Sequence, residues 1–213
     1  MSGNHTVAAI DCGTNSIRLL IASAGSDGRL VEQARELELV RLGEGVDATG
    51  AFRPDALERT FAACRSFAAM VEQHDCDQVR FVATSAARDV SNRNAFFTGV
   101  RQALGVDAEV IDGTEEARLS FAGAMSGVQV SDEPVLVIDC GGGSTELVLG
   151  RGTGIDSQVS INIGSVRLRE RFLHDDPPTV EQIDAARNYV RETLASCPVD
   201  VAAARTAVSY THL

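Results

Sequence analysis

The stretch with the clearest chemical content is Asp139-Cys140-Gly141-Gly142-Gly143-Ser144-Thr145-Glu146. Apolar runs flank it, Val135 to Ile138 before and Leu147 to Leu149 after, and both read as short buried strands. Three consecutive glycines between strands cost backbone entropy and need a reason. Close approach of backbone N–H groups to an anion supplies one, because glycine lets a loop fold into a concave array of donors. Asp139 and Glu146 stand at the two rims. A carboxylate does not serve a bare phosphate directly, but it can hold a hydrated divalent cation that bridges to one. The stretch therefore points to a Mg2+-assisted phosphate site.

The same pattern occurs once more. Asp11-Cys12-Gly13-Thr14-Asn15-Ser16-Ile17-Arg18-Leu19-Leu20-Ile21 aligns without gaps with the segment from Asp139 to Leu149. The Asp, Cys, Gly, Ser and one Leu coincide. The copies start about one domain length apart, so a duplicated strand–loop–strand is expected, each copy presenting an anion loop. The first loop comprises Thr14, Asn15 and Ser16, and the second Gly141, Gly142, Gly143, Ser144 and Thr145. Asp11 joins Asp139 and Glu146 as a metal-side acid by symmetry alone.

Composition narrows the chemistry. The chain has 213 residues, 44% hydrophobic and 23% charged, with a net charge of −11. These are values of an ordinary globular protein. All 19 basic residues are arginine, which excludes a Walker-A lysine, a Schiff-base lysine and a lysine general base. The acidic balance argues against nonspecific nucleic-acid binding. No apolar run has the length of a membrane span, and the first residues carry no basic signal region, so a cytoplasmic location is expected. Five cysteines in no metal-like spacing read as free thiols.

Strands are expected at Val7 to Ile10, Ile17 to Ala22 and Arg29 to Leu42, with a turn at Ser26-Asp27-Gly28. Pro54 opens a helix whose Leu57, Phe61, Cys64, Phe67 and Val71 form one apolar face. A strand at Val79 to Ala83, a helix to Leu104, a strand at Val106 to Ile111 and a helix to about Ser126 follow. The pattern then restarts with strands at Val135 to Ile138, Glu146 to Leu149 and Gln158 to Ile163. Val166 to Phe172 reads as a short helix. Thr179-Val180-Glu181-Gln182 is a capping-box signature for a helix bearing Ile183, Ala186, Val190 and Leu194 on one face. Residues 209–213 show no pattern. The expected organisation is α/β, with an N-terminal domain over 1–126 and a partial second domain over 127–213 that reads as truncated.

Four stretches carry a resemblance: Ala9 to Arg18, Ala83-Thr84-Ser85-Ala86-Ala87-Arg88-Asp89, Gly113-Thr114-Glu115-Glu116-Ala117-Arg118-Leu119, and Val137 to Glu146. Ile163-Gly164-Ser165-Val166-Arg167-Leu168 adds a weaker fifth. In order and spacing they resemble the exopolyphosphatase/guanosine pentaphosphate phosphatase family of the actin-like ATPase superfamily. The resemblance implies duplicated ribonuclease H-like domains around a central cleft. It also implies Mg2+-dependent removal of terminal phosphate from inorganic polyphosphate, or from guanosine pentaphosphate, by water. It places the catalytic carboxylate on Glu116, phosphate contacts on both loops and on Arg88, and metal or water contacts on Asp139 and Glu146. A glycine-rich strand–turn and further elements of the family's second domain have no counterpart here.

Bland readings stand beside these. Glu115 and Glu116 fall in a first helical turn, where acids oppose the helix dipole whatever their function. Arg118 reads as a salt-bridging helix residue, and Arg167, Arg169 and Arg171 as a mostly solvated face. Two rival functions remain open: an ATP-dependent phosphotransferase of the same fold, and a non-catalytic nucleotide- or polyphosphate-binding module. Homodimer formation is left open too.

Overall fold

The computed structural model describes residues 5–25, 30–88, 90–127 and 132–211. Its contacts gather into two compact units, Met1–Val110 and Ile111–Leu213.

In the first unit, β1 (Thr6–Cys12), β2 (Ser16–Ala24) and β3 (Leu30–Leu39) form an antiparallel meander. A one-turn helix, α1 (Val46–Thr49), precedes the long helix α2 (Pro54–Gln73). Then come β4 (Gln78–Ala83), the short α3 (Ser85–Arg88), α4 (Arg93–Leu104) and β5 (Ala108–Val110). The sheet order is β3-β2-β1-β4-β5, with β4 parallel to both β1 and β5. Pro54 occupies the first turn of α2, where its missing N–H costs nothing. Leu57, Cys64 and Phe67 bury the expected face of α2 against Ile10, Leu19 and Phe81.

The second unit begins with α5 (Gly113–Ser126) and repeats the meander with β6 (Val135–Cys140), β7 (Thr145–Arg151) and β8 (Gly154–Ile161). After α6 (Ser165–Phe172) and α7 (Val180–Ala195), β9 (Thr206–Thr211) pairs parallel with β6. The order β8-β7-β6-β9 repeats β3-β2-β1-β4 position for position. The duplication inferred from two loops therefore extends to whole sheets. Alternation along β6 divides the core. Val135 and Val137 meet Ala117, Phe121 and Ala124 of α5, while Leu136 packs with Leu147, Leu149 and Val199 on the other face.

Most expected elements are present, with shifted ends. The third strand stops at Leu39, because Val40, Arg41 and Gly43 turn back to the first loop. Ser85–Arg88 is helical where only a strand end was expected. Residues 206–211, patternless at their C-terminal end, form β9; pairing with β6 across the chain, not local periodicity, makes them a strand. The capping box is present in full, Thr179 accepting from the Gln182 amide and the Gln182 side chain reaching back. The turn expected at Ser26-Asp27-Gly28 lies outside the described residues.

Candidate functional site

The two glycine loops are built alike. Gly13 N–H donates to Ser16 O and Gly141 N–H to Ser144 O, both at 2.9 Å. In each unit the segment after the third strand then fills the loop's carbonyls. Gly43 donates to Thr14 O at 2.8 Å, and Val40 and Arg41 donate to Asn15 O at 3.1 and 2.8 Å. In the second unit Ser165 donates to Gly141 O, while Val166 and Arg167 donate to Gly142 O. Arg167 Nε takes Gly143 O at 2.9 Å. A trans peptide points the N–H of one residue opposite to the carbonyl before it. The amides of Asn15 and Ser16, and those of Gly143 and Ser144, are thus turned away from the segments that grip the loops. Adjacent amides facing one way are what an anion nest requires. Thr145 is buried, and its hydroxyl donates to Ile163 O at 2.6 Å, tying the loop down.

Asp139 and Glu146 are direct cross-strand partners, so their side chains share one face of the sheet. Both are buried, Glu146 at 1% exposure. Ser120 of α5 donates to Asp139 Oδ2 at 2.6 Å, and Ser160 of β8 donates to Glu146 Oε1 at 2.7 Å. Two like charges held opposite each other are unfavourable without something positive or a donor between them. The first unit resolves the same position differently: Arg18 stands opposite Asp11. There the pair is of opposite sign, so the acid-rich pair belongs to the second unit alone.

Glu116 lies in the first turn of α5. Asp112 caps that helix, its Oδ1 accepting from the Glu115 amide at 2.8 Å. Arg118 forks onto both oxygens of Glu115 at 2.7 Å, the salt bridge expected of it. Gln158 of β8 reaches Thr114 O, and Ser120 reaches Asp139 on β6, so α5 crosses the sheet. Glu116 is one turn before Ser120 and on the same flank, so along α5 it lies between those two contacts. Arg88 ends α3 in the first unit, half-buried. Arg169 and Arg171 are exposed as expected, while Arg167 departs from that reading by gripping the loop.

Among the described residues, no three His, Cys, Asp or Glu side chains gather as a ready cage for a metal. Mg2+ does not need one: it keeps several waters and takes one or two carboxylates plus substrate phosphate. Asp139 and Glu146, oxygen donors on one face beside the second glycine loop, fit that requirement. Ser120, Ser160 and the loop-gripping role of Arg167 were not found from the sequence. The four-residue step from Glu116 to Ser120 was the available signal for the first; nothing local marks the other two.

Residues 21–211 match the model of the Ppx/GppA phosphatase family. Exopolyphosphatase 2 of Mycobacterium tuberculosis is 52% identical over 196 residues, covering 88% of this chain and 61% of the relative. The chain thus spans about three fifths of the length of that curated relative. The crystal structure of an exopolyphosphatase-like protein superposes with a TM-score of 0.91 at 49% identity, over 97% of this chain and 66% of that one. The Aquifex aeolicus member of the Ppx/GppA family gives 0.74 at 32% identity, over 96% of this chain and 65% of that one. An exopolyphosphatase from Cytophaga hutchinsonii gives 0.83 at 32% identity, over 89% of this chain and 61% of that one. The family anticipated from the motifs is the family found, and the fold is the duplicated α/β architecture of actin-like ATPases.

Proposed function

Because the chain belongs to the Ppx/GppA phosphatase family, we propose that it releases terminal phosphate from inorganic polyphosphate by direct attack of water. Guanosine pentaphosphate, which ends in the same phosphoanhydride, is the second candidate substrate. The observation that supports this reading is the buried pair of Asp139 and Glu146 beside the second glycine loop, with Ser120 of α5, one turn after Glu116, bonded to Asp139.

The amides of Gly143 and Ser144 receive the terminal phosphoryl oxygens. Glu116 aligns a water in line with the phosphorus and accepts its proton. The new P–O bond forms as the bridging P–O bond breaks, and the shortened chain leaves with the electron pair of its terminal oxygen. Asp139 and Glu146 would hold Mg2+, which would neutralise charge on the phosphates. Backbone donors preorganised toward the transferred group stabilise the charge that spreads over it in the transition state. No covalent enzyme intermediate is invoked, and no lysine is available to take part.

Location in the cytoplasm is part of this reading; no helix among the described residues is long and apolar enough to cross a membrane. The test is release of inorganic phosphate by this chain from polyphosphate and from guanosine pentaphosphate, each with and without Mg2+. Mg2+-dependent release without any phosphoryl acceptor supports the hydrolase. Release that requires an acceptor and ATP replaces it with a phosphotransferase, and binding without turnover replaces it with a regulatory module.

A further inference from the structure

Buried carboxylates that face each other across two strands are each held by a serine from a different element. Ser120, on α5, donates to Asp139 Oδ2 at 2.6 Å. Ser160, on β8, donates to Glu146 Oε1 at 2.7 Å. Both distances are those of a hydroxyl bonded to a charged oxygen. A carboxylate on a single-bonded stem can spin, and fixing one oxygen fixes the direction of the other. From this geometry we infer that Ser120 and Ser160 are positioning residues that aim Asp139 and Glu146 at one shared divalent cation. The inference rests on the metal role proposed for those two acids.

Two further observations favour a positioning role over simple hydrogen-bond satisfaction. The serines come from two different elements, one from the helix packed on that face of the sheet and one from β8, where Ser160 stands directly opposite Glu146. Ser120 also lies one helical turn from Glu116 on the same flank of α5. A single helix face therefore sets the position of the candidate base and the orientation of a candidate metal ligand. Displacing α5 would disturb both together. In the first unit Arg18 stands opposite Asp11 instead of an acid, so the arrangement belongs to the second loop.

The test measures cation binding without turnover. Mn2+ is titrated, in the presence of inorganic phosphate, into the wild-type chain and into Ser120→Ala, Ser160→Ala, Ser120→Thr and Ser160→Thr, with bound Mn2+ read by its electron paramagnetic resonance signal. Thermal unfolding serves as a control for folding. Loss of such an outer partner lowers metal affinity by about ten- to a hundredfold. The expected result is that fall in both alanine variants, with threonine, which keeps the donating hydroxyl, retaining most of the wild-type affinity. Wild-type affinity in folded alanine variants overturns the positioning role while leaving the metal site standing. Absence of Mn2+ binding to the wild-type chain overturns the metal site and the inference with it. If an alanine variant unfolds, the threonine variant decides: weakened binding in a folded Ser120→Thr or Ser160→Thr chain also overturns the inference.

Discussion

Gly164 rests on the backbone of Gly142. A β-carbon built at Gly164 would stand 2.3 Å from Gly142 O, 2.4 Å from its carbonyl carbon and 2.5 Å from Gly143 N. These neighbours are main-chain atoms of the loop itself and cannot swing aside. The segment that begins at Gly164 therefore closes directly on the loop, and its amides at Ser165, Val166 and Arg167 fill the loop carbonyls.

A Gly164→Ala substitution must push the loop away by several tenths of an ångström or more. Overpacking of this kind costs about 1–3 kcal/mol. Phosphate release is expected to fall by at least about tenfold, since small misplacement of positioning groups is costly to rate. Steady-state kinetics on polyphosphate, with a thermal melt in parallel, checks both effects. Unchanged kinetics would mean that the loop tolerates displacement.

The capping box predicts a separate, purely structural effect. Thr179→Ala removes the acceptor for the Gln182 amide at the start of α7. The expected loss is about 1 kcal/mol of stability, seen as a lowered melting temperature with KM for polyphosphate unchanged. A change in KM would give α7 a part in substrate binding.

The buried thiols should be chemically silent. Burial pushes the Cys64 thiol up to about 12, and burial, with Cys64 and Asp11 nearby, pushes Cys12 well above the usual range. A raised thiol value keeps the reactive thiolate scarce below it; at pH 9 the Cys64 thiolate amounts to about one part in a thousand. Reaction of the folded chain with a disulfide reagent should thus leave Cys12 and Cys64 unmodified between pH 7 and pH 9. Denaturant should release both. Mass spectrometry of the labelled chain distinguishes these two from Cys76, Cys140 and Cys197, which are partly exposed.

What the sequence made legible follows from which interactions are local. The two loops were readable because glycines between apolar runs have few uses, and one register match located both sheets. The α7 capping box is a four-residue rule and held. β9 could not be read, because Thr206–Thr211 becomes a strand by pairing with β6, some 70 positions earlier. The partners Ser160 and Glu146 are joined only by the β7–β8 register. Arg167 looked like one of three alternating surface arginines; its grip on Gly143 depends on how α6 folds back over the loop.

The central claim is that Glu116 directs water onto the terminal phosphorus. It is tested most directly by Glu116→Gln, which keeps the size and helix position but cannot accept a proton. Phosphate release from polyphosphate in Mg2+ should fall by about 10²–10⁴, with substrate affinity measured by direct binding within a few-fold of wild type. Release at near wild-type rate would contradict the assignment and move the base elsewhere.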